Sequence, residues 1–249
     1  MTCIGHYRIK KQIGEGSFGR VYQAEHVRLK QVVCLKVGKN PFPEFTKLLR
    51  HEAGIIRRLS GHPAIPAFKN FMIAENNTGV LVMDFIEGCS LAQWLKRGNR
   101  MGAERACLLT ALLLEALRFC HQQGVVHGDL KPDNLMLTKQ GCDLKLIDFG
   151  VASFEPGSCS RALGFTLFYA APESLRNLPP IPETDIFGAG WILLCALGGD
   201  PLTQTLPGTV PKAIREFCGQ LMDPEPMRRP CWERKDPLKW LNRLLLETF

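Results

Sequence analysis

No CxxC pair occurs among the ten cysteines of this 249-residue chain, so their spacing supports neither a zinc site nor a disulfide framework. Buried thiols in a reducing compartment are the reading that remains. No apolar run is long enough to span a bilayer; the longest, Ile186 to Gly199, reads as a buried helix. The opening Met1-Thr2-Cys3-Ile4-Gly5-His6 lacks the apolar core of a signal peptide. There is no internal repeat and no low-complexity tract, which argues against disorder. Basic residues are not clustered with aromatics, so nothing points to nucleic acid. The expectation left is a soluble, cytoplasmic globular protein with one full core and no room for a second domain.

What the chain does have is uneven charge. The net charge is +7, yet residues 1–83 alone hold thirteen Lys/Arg against five Glu. Arg8, Lys10, Lys11, Lys39, Lys47, Arg50, Arg57 and Arg58 belong to this basic set. A solvated basic face is the plain reading; an acidic partner, an anionic membrane or an acidic peptide is the alternative.

The first third reads as strands at Tyr7–Ile13, Gly19–Glu25 and Gln31–Val37. Pro43 then opens a helical stretch to about Leu59, in which Phe45, Leu48, Leu49, Ala53, Ile56 and Leu59 recur at helical spacing. Strand-like runs follow at Phe68–Ala74 and Gly79–Met83. Beyond Met83 the periodicity turns helical at Leu91–Arg97, Ala103–Gln122, Ile186–Leu197, Lys212–Met222 and Leu238–Glu247. Asp236-Pro237 predicts a cap with proline in the first turn. The pattern predicts an α+β fold over 1–249: a β-rich lobe over about 1–83, a hinge at about 84–88 and a helical lobe over 89–249.

Three motifs carry chemistry. Gly14-Glu15-Gly16-Ser17-Phe18-Gly19-Arg20-Val21 fits GxGxxGxV between two strand-like segments. No helix follows it, which argues against a dinucleotide fold. Without Cβ atoms, Gly14, Gly16 and Gly19 let backbone N–H groups approach phosphates. Val33-Cys34-Leu35-Lys36 supplies a lysine on the next strand. His127-Gly128-Asp129-Leu130-Lys131-Pro132-Asp133-Asn134, followed by Asp148-Phe149-Gly150, brings together groups able to hold Mg²⁺, steady a γ-phosphate and accept a hydroxyl proton. Ala171-Pro172-Glu173 stands further on.

In this order the motifs resemble the eukaryotic-type serine/threonine protein kinases over nearly the whole chain. The resemblance implies ATP with Mg²⁺ (or Mn²⁺) and protein substrates bearing Ser or Thr. It makes Asp129 the base and Lys131 the partner of the transferring phosphate, with Thr166 beside both. Asn134 and Asp148 would ligate the metal. Lys36 would reach the α/β-phosphates, paired with Glu52; Glu44 reads as a charge at the helix start. Ile13, Glu15, Ser17 and Phe18 would join the three glycines around the nucleotide. Val21 would roof the adenine, Cys34 stands where the family has alanine, Met83 looks like the gatekeeper, and Met136 would form the floor. The Asp84 and Ile86 backbones would meet the adenine edge. Asp185 would anchor the catalytic loop, and Arg229 would pair with Glu173.

One departure stands out. Gly128 replaces the arginine of His-Arg-Asp, which removes the guanidinium that would clasp a phosphorylated activation loop. Switching by phosphate at Ser153, Ser158, Ser160 or Thr166 is therefore not expected. His-Gly-Asp-x-x-x-x-Asn also resembles the aminoglycoside and choline phosphotransferases, so a small-molecule kinase is one alternative and an inactive kinase-like binding module another. Gly164 lies one residue earlier than the usual Gly-Thr pairing. Between Gly199 and Pro211 there is no room for the family's substrate-docking helix.

Overall fold

The computed structural model describes residues 2–16, 19–39, 42–75, 77–138, 143–157, 160 and 163–249. The fold is α+β, with a curled β-sheet N-lobe and a helical C-lobe, and the chain divides into two compact units. The first comprises Met1–Glu87 with Asp148–Gly150; the second comprises Gly88–Ile147 with Val151–Phe249.

The first unit is an antiparallel sheet with one helix. Its strands are β1 (Cys3–Ile4), β2 (Tyr7–Glu15), β3 (Gly19–His26), β4 (Val32–Gly38), β5 (Phe68–Ile73) and β6 (Gly79–Asp84), in the order β1-β2-β3-β4-β6-β5. Helix α1 spans Pro43–Arg58 and buries Leu49, Ala53, Ile55 and Ile56. Side chains alternate along β4. Val33 and Leu35 point into a core with Tyr7, Ala24, Val80 and Val82, which leaves Cys34 and Lys36 on the opposite face. That period of two places a lysine and a cysteine side by side on one surface of a buried strand.

The second unit opens with β7 (Gly88–Ser90), α2 (Leu91–Lys96), α3 (Ala103–Gln122), β8 (Val125–Val126), β9 (Leu135–Thr138), β10 (Leu144–Leu146) and β11 (Ser153–Phe154). Helices α4 (Pro172–Leu175), α5 (Pro182–Ala196), α6 (Lys212–Leu221) and α7 (Pro237–Thr248) complete it. Ser90 and Gln93 close a reciprocal capping box on α2. Asp236 caps α7, accepting from the Leu238 and Lys239 amides at 3.0 Å each.

Helix α5 starts at Pro182, a turn before the apolar run that marks it in the sequence. Its first turn holds Thr184 and Asp185, polar but buried, so hydropathy alone misses it. Proline at the first helical position needs no amide donor there. Segment 199–211 contains an Asp200–Thr205 bridge and turns. No helix of the described residues is long and apolar enough to cross a membrane. Cys34, Cys107, Cys120, Cys218 and Cys231 are buried free thiols. Burial pushes Cys34 and Cys218 up to about 12, which keeps them protonated at neutral pH.

Candidate active site

In the first unit the sheet register assembles the candidate nucleotide face. Val21 on β3 pairs with both Gly14 on β2 and Lys36 on β4, and Cys34 on β4 pairs with Met83 on β6. Residues directly opposite share a face, so Val21, Lys36, Cys34 and Met83 form one surface. Among the three loop glycines, only Gly19 is required by packing, because a Cβ there would meet the Val37 carbonyl oxygen at 2.6 Å. A Cβ at Gly16 would meet nothing within 4 Å, and the Gly16 amide donates to Gly19 O at 2.9 Å. Ile13 is exposed, as is Glu15, which pairs with Arg20 at 3.6 Å and Lys39 at 3.4 Å. Ser17 and Phe18 lie outside the described residues.

Lys36 Nζ lies 2.9 Å from Glu52 Oε1 and 2.7 Å from Asp148 Oδ1. Burial opposes the ammonium charge, but the Glu52 and Asp148 carboxylates outweigh it and hold Lys36 above its usual value. Burial pushes the Glu52 carboxyl up, with Lys36 offsetting part of that shift. Asp148 has a left-handed backbone with φ 63°, a costly conformation for a non-glycine residue that concentrates at functional positions. Asp84 donates its amide to Ala67 O at 3.0 Å, so this N–H is already taken. Ile86 is half-buried. Part of the basic excess is neutralised locally, by Lys10–Glu25 at 3.1 Å and Lys69–Asp84 at 2.9 Å.

The second unit holds a closed polar triangle. Lys131 Nζ donates to Asp129 Oδ2 and to Thr166 Oγ1, both at 2.6 Å, and the Thr166 amide donates to Asp129 Oδ1 at 2.7 Å. Asn134 donates from Nδ2 to Asp129 O at 2.9 Å, within a 3₁₀ turn at Pro132–Asn134. Met136 lies on β9, half-buried and opposite Lys145.

Helix α5 anchors this loop from beneath. Asp185 Oδ2 accepts the His127 amide at 2.8 Å and Oδ1 accepts the Gly128 amide at 2.9 Å. One turn on, Gly188 gives Leu130 room, since a Cβ there would stand 2.6 Å from the Leu130 Cβ. Burial would raise the Asp185 carboxyl, but the hydrogen bonds from His121 and the Gly128 amide help hold it below its ordinary value. The Asp129 amide donates to His127 Nδ1 at 3.3 Å, which leaves Nε2–H to donate to Ile147 O at 3.1 Å.

Glu173 and Arg229 meet as a buried bidentate pair at 2.7 and 2.9 Å. Arg229 also donates to the Asp223 and Glu183 carbonyls, each at 2.8 Å. Against the upward push of burial, Arg229 holds the Glu173 carboxyl below its usual range. Two further polar groups escape sequence reading. His121 lies 2.8 Å from Asp185 through Nε2, and Trp232 donates its indole N–H to His121 Nδ1 at 2.8 Å. These contacts span 64 and 111 positions, and no local spacing announces them.

A glycine-bearing β-hairpin, a buried pair between the sheet lysine Lys36 and the helix glutamate Glu52, and a helix-anchored Asp-x-Lys loop define a protein of the kinase fold class. Comparison with known proteins agrees. The protein kinase domain family model matches residues 7–240, and the chain belongs to that family. CBL-interacting protein kinase 12 of Oryza sativa is 33% identical over 206 residues, covering 80% of this chain and 37% of the relative. The hormonally up-regulated neu tumor-associated kinase homolog of Xenopus tropicalis is 30% identical, covering 96% of this chain and 38% of its own length. Serine/threonine-protein kinase PknA of Mycobacterium tuberculosis is 32% identical over 80% of this chain and 48% of the relative. The chain thus spans less than half the length of these curated relatives.

Proposed function

We propose that the chain transfers the γ-phosphate of ATP to Ser or Thr hydroxyls of protein substrates. The observation that carries this reading is the triangle of Asp129, Lys131 and Thr166, in which one lysine bridges the base and the threonine. Asp129 takes the proton as the substrate oxygen–phosphorus bond forms and the bond to the ADP oxygen breaks. The Lys131 ammonium offsets charge growing on the transferring phosphate. Lys36, held by Glu52, contacts the nucleotide phosphates. Val21, Cys34, Met83, Met136 and the Asp84 and Ile86 backbones serve the adenine.

The metal donor set is consistent with hard oxygen ligation by Asn134 and Asp148. Among the described residues no three His, Cys, Asp or Glu side chains could hold a metal by themselves, so phosphates and water would complete its shell. A bound Mg²⁺ or Mn²⁺ supplies charge neutralisation on the phosphates.

Gly128 leaves the catalytic loop without a guanidinium, so activity independent of loop phosphorylation belongs to the same proposal. Ser158 and Arg161 of that loop lie outside the described residues. The Glu173–Arg229 pair beside Ala171-Pro172 favours a protein over a small-molecule acceptor, because the resemblance to protein kinases includes this segment. Phosphotransfer from ATP to a generic basic protein, measured for the wild type and Asp129→Asn, tests the reading. Transfer to aminoglycoside or choline alone would favour the small-molecule alternative, and nucleotide binding without any transfer would favour the binding module.

A further inference from the structure

We propose that Trp232 is a positioning residue for the catalytic loop: its indole N–H fixes the tautomer of His121, and so the Asp185 carboxylate that holds the loop. The proposal rests on the phosphotransfer reading of Asp129.

An indole N–H can only donate. With Trp232 Nε1 donating to His121 Nδ1 at 2.8 Å, that nitrogen must carry a lone pair. The proton of the neutral ring therefore sits on Nε2, 2.8 Å from Asp185 Oδ2. The opposite tautomer would set an N–H against an N–H on one side and a lone pair against a carboxylate on the other. The His121 side chain is 4% exposed and that of Asp185 1%, so water offers little substitute for either bond.

Asp185 Oδ2 also accepts the His127 amide, and Oδ1 accepts the Gly128 amide. Gly128 sits at φ 77° and has no side chain to lock it in place, so the loop depends on these backbone bonds. Trp232 is itself held. Arg118 lies 5.0 Å over its ring and pairs with Asp236, the cap of α7. Cys120 from α3 and His127 from the loop act on the Asp185 carboxylate beside His121, while Arg118, paired with Asp236, faces Trp232. The path runs from the α7 cap to the residue before Asp129.

The test has two arms. Nitrogen NMR of His121 in the wild-type chain at pH 7.5 should show protonated Nε2 and unprotonated Nδ1. Trp232→Phe keeps most of the ring volume but removes the N–H. It should lower kcat for phosphotransfer about three- to tenfold, the scale of one lost neutral hydrogen bond, with KM for ATP within about twofold of wild type. Protonated Nδ1 in the wild type, or unchanged kcat in a folded variant, overturns the proposal. If Trp232→Phe does not fold, the wild-type tautomer decides by itself. A wild-type chain with no phosphotransfer but the expected tautomer would instead count against the kinase reading, which keeps the two failures apart.

Discussion

The two units secure their candidate catalytic groups by different means. In the sheet unit, Lys36, Glu52 and Asp148 come from three separate stretches of chain and meet as an ion cluster in which Lys36 and Glu52 are buried and Asp148 is partly exposed. In the helical unit, Asp129, Lys131 and Asn134 come from one loop, and the hydrogen bonds from the Thr166 amide to Asp129 and from the Gly128 amide to Asp185 complete the set. Charges removed from water need their partners, and losing one strands the other. A loop tied by amides to a carboxylate can lose one reacting side chain without losing its shape. Function and stability should therefore separate cleanly in the second unit and be entangled in the first.

Asp129→Asn gives the largest expected effect. Phosphotransfer should fall on the order of 10² to 10³ or more, the scale for loss of one preorganised charge, while the melting temperature stays within a few degrees. Retention of more than about a tenth of wild-type turnover would show that Asp129 is not the base. Removal of Asp148 by alanine, or excess chelator, should abolish transfer to the same extent in a radioactive phosphate assay.

Arg229→Ala should cost about 3–5 kcal/mol of unfolding free energy in denaturant titrations, because it leaves the Glu173 carboxylate buried without its cation. Lys36→Met sharpens the contrast. It should abolish transfer, weaken ATP binding modestly and lower stability, whereas Lys36→Met combined with Glu52→Gln should recover stability without activity. Full stability in the single Lys36→Met variant would break the comparison.

The units should also differ in their response to pH. Asp185 and Glu173 are held below their ordinary values in the folded helical unit. Their stabilisation is present above the unfolded carboxyl range of about 4 and is lost as pH falls through the folded values. Lys36 is held above its ordinary value, so its contribution is present below about 10.4 and is lost as pH rises through the folded value. Acid should therefore weaken the helical unit selectively, whereas alkali weakens both, through Lys36 in the sheet unit and the buried thiols Cys107, Cys120, Cys195 and Cys218 in the helical unit. Trp94, Trp191, Trp232 and Trp240 all lie in the helical unit, so tryptophan fluorescence follows its acid transition separately.

The smallest effect concerns the loop. Phosphatase treatment should change the rate by no more than about twofold, since no arginine from the catalytic loop waits for a phosphate. A tenfold drop would show that another basic residue does that work.

Long, strongly periodic elements are legible in the sequence: α3 covers Ala103–Gln122 as its spacing predicts. Asp129 and Lys131 of the polar triangle are legible too, because they share one contiguous loop, whereas Thr166, 35 positions on, is reached only through the family resemblance. Strands β8 and β11 are two residues each, too short for any alternation to register. Trp232 and His121 stay hidden for a different reason. A hydrogen bond across 111 positions leaves no spacing signal, and each residue alone reads as ordinary core.

Gly128 also has an evolutionary consequence. Its glycine codon is one nucleotide from an arginine codon, and a Cβ there would meet nothing nearer than the Val151 carbonyl oxygen at 3.9 Å. The obstacle is the left-handed backbone at φ 77°, which costs an L-residue about 1–2 kcal/mol. If Gly128 frees the loop from phosphate control as proposed, a lineage with that much stability in reserve has the arginine within one mutational step, and one without it does not.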